Sequence, residues 1–141
     1  MIEQINPILK DLPIYGYIYK FENIKTGHQY LGQTIQPLNV RYGTNIIKSW
    51  IKERKEKQSQ KFLDELNEED FIVTELLDVA CCEYHLNVLE SYYIDKYNSY
   101  NNGYNNNYGN YKTDDGVKEF IELLKQYNLE FIENEIVKKA N

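Results

Sequence analysis

Two short tyrosine-bearing runs with a turn-forming stretch between them constrain this chain more than any other feature. The first, residues 15–21, holds Tyr17-Ile18-Tyr19, and the second, residues 29–32, holds Tyr30-Leu31-Gly32. Between them lies Glu22-Asn23-Ile24-Lys25-Thr26-Gly27-His28, a polar segment whose Asn and Gly tolerate tight turns. The pattern predicts a β-hairpin. Side chains two apart on a strand share a face, so Tyr17 and Tyr19 are expected to point the same way, with Tyr30 arriving from the partner strand. Phenols gathered on one sheet face, with an arginine (Arg41) and a glutamate (Glu90) further along, suit phosphodiester chemistry.

Beyond the hairpin, periodicity sets out an α+β chain with a small three-stranded antiparallel sheet. Residues 2–12 read as a short helix or extended lead that Pro13 ends. Pro37 suits a first helical turn, and Leu38, Arg41, Tyr42, Asn45, Ile46 and Ser49 follow at helical spacings, with a bend allowed at Gly43. A further helix is expected over residues 58–66 and a third strand over 70–79. Residues 82–97 form an amphipathic helix whose stripe is Leu86, Leu89, Tyr93 and Tyr97. A Gly/Asn/Tyr-rich loop covers 98–111. Asp114 or Asp115 caps a helix over 116–127, and a second C-terminal helix is expected over 129–140. The organisation is a core domain, residues 1–111, with a helical extension, residues 112–141, docked on it.

Composition narrows the setting. At 141 residues the chain can bury a core without disulfides. Adjacent Cys81 and Cys82 fit neither a framework disulfide nor a structural zinc site, so a reducing, cytoplasmic location is the default expectation. No apolar run approaches the ~20 residues of a membrane span, and no signal-peptide pattern opens the chain. The net charge of −6 argues against nucleic acid as a partner, but the charge is unevenly spread. Lys48, Lys52, Arg54, Lys55, Lys57 and Lys61 face only Glu53 and Glu56 within residues 48–61, whereas residues 62–95 carry no Lys or Arg. The basic segment reads as a solvated helix face by itself, and beside a phosphodiester site as a backbone-contacting element. Abundant tyrosine can stack unpaired bases, although compositional drift toward Asn, Ile, Lys and Tyr explains most of it.

These pieces, taken in order, resemble the GIY-YIG nuclease family. Tyr17-Ile18-Tyr19 corresponds to the first signature element, with Tyr17 where the family's glycine is usual. Tyr30-Leu31-Gly32, then Gln33 and Thr34, corresponds to the second. Arg41 matches the family arginine on the next helix, and Asn45 stands where a histidine often follows it. The run from Leu86 to Ile94 matches the helix bearing the metal-binding glutamate, here Glu90, and Gly103-Tyr104-Asn105 matches the asparagine-bearing turn. The resemblance covers about residues 15–109.

The resemblance implies a metal-dependent DNA endonuclease that leaves 5′-phosphate and 3′-hydroxyl ends. It makes Tyr19, Tyr30, Arg41 and Glu90 the catalytic residues. Tyr17, His28, Gly32, Gln33, Asn45, Asn105, Lys48, Lys52 and Lys55 are supporting or DNA-binding positions. A free tyrosine has a pKa near ~10, so nearby positive charge is needed before Tyr19 or Tyr30 can take a proton from water. Arg41 can grip a phosphate bidentately. Glu90 borders the buried helix stripe, and Mg²⁺ or Mn²⁺ is satisfied by one carboxylate with water and phosphate oxygens. His85 is expected to be structural. One site cuts one strand, so double-strand cleavage calls for a homodimer or successive nicks. The alternative is a catalytically weak or inactive DNA- or protein-binding protein on the same fold. A third reading is a partner-binding module using the stripe Phe120, Leu123, Leu124 and Tyr127.

Overall fold

The computed structural model describes residues 7–57, 59–109 and 116–140. Its centre is the antiparallel sheet that the hairpin pattern predicts. Strands β1 (Gly16–Asn23) and β2 (Gln29–Thr34) pair with Tyr19 opposite Gly32 and Phe21 opposite Tyr30. Strand β3 (Phe71–Ala80) adds to the other side of β1, giving the order β2-β1-β3. The β1–β3 register shifts between Ile18 and Lys20. In the turn, Asn23 Oδ1 accepts from the backbone N–H groups of Lys25 and Thr26, and Gly27 takes φ 81°.

Alternation along the strands divides the molecule into layers. Ile18 and Leu31 pack with Ala80 against Leu86, Leu89 and Ile94 of helix α4 (Glu83–Lys96). Tyr19, Phe21 and Tyr30 point to the opposite face. There they meet helices α1 (Leu38–Tyr42), α2 (Ile46–Arg54) and α3 (Gln60–Asp64). The anchor of that layer is Trp50, fully buried, with its ring stacked on Phe21 at 3.9 Å between centroids. Phe62 and Phe71 close around it.

The helix expected after Pro37 is divided. Gly43, at φ 80°, closes α1, and the Asn45 side chain accepts from Lys48 N–H to start α2. The helix expected over 58–66 contracts to α3. The N-terminal lead is a single 3-10 turn, Pro7–Leu9, within the described residues.

Among its described residues the C-terminal extension holds one helix, α5 (Val117–Gln126), followed by strands and not by the second helix expected over 129–140. Strands β4 (Leu129–Ile132) and β5 (Glu135–Lys138) form a hairpin closed by Glu133 and Asn134, both at positive φ. Two consecutive left-handed residues are what a tight hairpin turn requires, and Asn tolerates that conformation. The expected caps, Asp114 and Asp115, lie outside the described residues; Gly116, at φ 85°, precedes α5. Phe120 and Leu124 of α5, Leu129 and Ile136 bury against Leu9, Leu12, Val79 and Cys81. The apolar stripe of α5 is thereby used within the chain, with Tyr127 left exposed. No helix among the described residues is long and apolar enough to cross a membrane.

Candidate active site

The site forms at the edge of β2, where the two helical layers approach each other. Tyr30, Arg54, Glu90, Asn105, Asn106, Asn107 and Gly109 line a polar cleft of about 210 Å³. From one face of the sheet come Tyr19 and Tyr30, with ring centroids 6.3 Å apart. Tyr19 is only 1% exposed and Tyr30 8%, so it is Tyr30 that reaches the cleft wall. The Tyr19 phenol lies close enough to that of Tyr42 on α1 for each to affect the other's titration.

Helices α1 and α2 deliver the cations, Arg41 and Arg54. Trp50 anchors α2, and residues three and four further on share its face, which brings Glu53 and Arg54 toward the tyrosines. The Arg54 guanidinium lies 4.5 Å from the Tyr30 ring centre. Arg41, on α1, lies 4.9 Å from the Tyr42 ring and donates from Nη1 to the Gln33 carbonyl at 3.3 Å. Both arginines are tied to Glu53. Its Oε1 accepts from Arg41 Nη2 at 3.2 Å, from the Tyr42 hydroxyl at 3.3 Å and from Arg54 Nη2 at 3.3 Å.

Glu90 comes from α4, one position beyond the buried Leu89. Gln33 Nε2 donates to Glu90 Oε1 at 3.1 Å and to Asn87 Oδ1 at 2.9 Å, which fixes the carboxylate against β2. Burial pushes the Glu90 carboxyl above its ordinary range; Gln33 and Arg54 pull it back in part. Gly109 leaves room for this group, since a Cβ there would stand 3.1 Å from Glu90 Oε1. Among the described residues no three His, Cys, Asp or Glu side chains gather. A divalent cation here would have one carboxylate and amide oxygens, a hard-donor set that suits Mg²⁺ or Mn²⁺ completed by water and phosphate.

Asn105 serves the edge strand. Its Nδ2 donates to Leu31 O at 2.8 Å and its Oδ1 accepts from Leu31 N–H at 2.9 Å. The buried amide thus takes the place of a neighbouring strand and holds the 104–107 loop beside the cleft. Tyr104 N–H donates to Gln29 O, and a Cβ on Gly103 would collide with that carbonyl, so the chain approaches β2 closely here.

Several expected residues fall elsewhere. Tyr17 packs against the cluster of Leu9, Phe120 and Leu129, away from the tyrosine pair, so it adds no bulk to the cleft. The residue that needs smallness in this strand is Gly16, where a Cβ would meet Leu86 Cδ2 and Thr34 O. His28 is paired through Nδ1 with Glu65 Oε1 at 2.8 Å at the hairpin end. Asn45 caps α2. Lys48, Lys52 and Lys55 stand exposed at helical spacing along α2 and make no ion pair with a described residue. His85 accepts from Cys81 N–H at 3.0 Å and stacks on Phe120, a structural placement.

The expectation that local positive charge lowers a tyrosine pKa is not met by the chain alone. Arg41 and Arg54 act downward on Tyr19 and Tyr30, but burial outweighs them and both phenols are raised. Tyr42 and Glu53 are parts of the site that the sequence pattern does not single out, and it marks Arg54 only as one member of the basic segment. The available signal was the single tryptophan, a strong anchor three and four residues before Glu53 and Arg54.

The fold and site define an α+β chain with a phenol, guanidinium and carboxylate cleft at a sheet edge. No family model, curated protein or solved structure matches it.

Proposed function

We propose that this chain is a metal-dependent endonuclease that hydrolyses phosphodiester bonds in DNA. One observation carries the reading. Tyr30, Arg54 and the half-buried Glu90 carboxylate line a single polar cleft, Arg41 is tied to Arg54 through Glu53 beside it, and exposed Lys48, Lys52 and Lys55 follow the adjoining helix and its C-terminal end. Each does a separate part of the chemistry. Arg41 and Arg54 bind the scissile phosphate and neutralise the charge that grows on it. Tyr30 faces the reacting groups, packed on the buried Tyr19 ring. Glu90, oriented by Gln33, would hold Mg²⁺ or Mn²⁺, which when bound would supply positive charge at the phosphate. Lys48, Lys52 and Lys55 track the DNA backbone, the sequence-independent part of affinity.

The second reading, a DNA-binding protein with weak or no catalysis, is favoured by the raised phenols. At neutral pH they are hydrogen-bond donors and not bases.

Supercoiled plasmid incubated with Mg²⁺ or Mn²⁺ at low salt separates the two. The hydrolase nicks or linearises it, and Glu90→Ala and Arg41→Ala abolish the products. Ligation of the nicks without end treatment verifies 5′-phosphate and 3′-hydroxyl ends. A folded wild type that binds plasmid but leaves it intact with either metal overturns the hydrolase in favour of the binding protein.

A further inference from the structure

We infer that the point where Arg41, Tyr42 and Arg54 converge is a phosphate-binding position, and that Glu53 fills it as an internal anion until a phosphodiester displaces the carboxylate. This rests on the proposed reading of the cleft and adds an internal competitor to it.

The geometry at Glu53 is that of a substitute ligand. Three donors from two helices meet on one oxygen, Oε1, at 3.2, 3.3 and 3.3 Å. Charge-assisted bonds settle at about 2.7–2.9 Å when each donor has its own lone pair. All three contacts on Oε1 are longer than that, and three donors outnumber the two lone pairs of a single oxygen. Glu53 Oε2 accepts from none of the described residues, and the buried Nε of Arg54 has no acceptor. A phosphate diester spreads its charge over two non-bridging oxygens and adds ester oxygens as further acceptors. It therefore matches this donor set better than one carboxylate oxygen does.

The surroundings point the same way. Arg54 also lines the cleft with Tyr30 and Glu90, so an anion here lies next to the carboxylate assigned to the cation. Glu53 belongs to the same helix as Lys48 and Lys52, which face solvent and would draw an anionic backbone along it. The Glu53 side chain is 27% exposed, so it has a path out of the cluster. The carboxylate also keeps two guanidiniums from standing unpaired and mutually repelling in the empty protein.

Binding of inorganic phosphate and of a short DNA duplex, both in EDTA, tests the inference without catalysis. The comparison is between wild type, Glu53→Gln and Glu56→Gln. Glu56 is an exposed neighbour whose substitution makes the same change in net charge. Glu53→Gln is expected to bind both probes about tenfold more tightly, equivalent to about 1.4 kcal/mol, and Glu56→Gln less than about twofold. Equal gains in the two variants, or no gain in Glu53→Gln, overturn the inference. If Glu53→Gln does not fold, Glu53→Asp, which withdraws the carboxylate by one methylene, is expected to change in the same direction. A tighter Glu53→Gln in a protein that never cuts plasmid retains the anion position and removes the hydrolase. Cutting with unchanged Glu53→Gln affinity does the reverse.

Discussion

The ring of Tyr19 lies directly over the backbone of Gly32, its partner across the β1–β2 ladder, in the space a side chain at Gly32 would occupy. A Cβ there would fall among the Tyr19 Cζ, Oη and Cε2 atoms. The two residues therefore act as one unit: the glycine is needed for contact, not for backbone conformation. Gly32→Ala should displace Tyr19 from Tyr42 and cost about 1–3 kcal/mol, as overpacking of a closed interior does. Denaturant unfolding of Gly32→Ala, Tyr19→Ala and the double variant checks this. The double variant should lose clearly less than the sum of the singles. Additive losses would mean that the two do not interact.

Glu90 is expected to show opposed effects on stability and activity. Its carboxyl is raised by burial, so the ionised form is disfavoured in the folded protein. A carboxylate with a raised folded pKa detracts from stability as pH climbs through that value, and the deficit persists at neutral pH. Glu90→Gln removes the charge and keeps an acceptor for Gln33. It should melt a few degrees higher than wild type while losing plasmid cleavage by about 10²-fold or more. Mg²⁺ should raise the melting temperature of wild type and not that of the variant. A lower melting point for Glu90→Gln without metal would show that the charge is well solvated.

His85 makes the fold sensitive to acid. Burial pushes its pKa down to about 4 from 6.5. Its Nδ1 accepts the Cys81 N–H, a bond that protonation would destroy. Between these two pKa values the unfolded chain takes up a proton that the folded chain refuses. Stability is therefore whole above about pH 6.5 and declines as pH falls toward 4. The loss from pH 7 to 5.5 should be about 1 kcal/mol, read from urea unfolding at the two pH values. His85→Asn should flatten that dependence. An equal slope in the variant would assign the acid sensitivity elsewhere.

The sheet and helix α4 are legible in the sequence because their signals are local. Alternation of Tyr17, Tyr19 and Phe21 with Ile18 and Lys20, the Asn23 and Gly27 turn, and the Leu86 and Leu89 stripe each lie within one element. Glu90 stands out locally by its place beside that stripe, whereas Arg41 is singled out by the resemblance. The segment 129–140 reads as a helix because Glu, Lys and Ala dominate its local preference. The competing signal, Asn134 between two alternating apolar runs, is a single residue. Leu129 and Ile136 packing on Leu9 and Phe120 then decides for strands, since burial outweighs weak propensity.

What the sequence by itself determined is the set of elements and the chemistry each one carries: phenols on a hairpin, guanidiniums on the following helices, a carboxylate on α4. What only the tertiary structure decided is which of these groups meet. Glu53 reaches Arg41 and Tyr42 across the break at Gly43, at an angle set by Trp50 stacking on Phe21. Tyr17, two positions from Tyr19, goes to a different cluster. Strand and helix periodicity follow from the backbone of each segment alone, whereas convergence of charges depends on packing between segments far apart in the chain.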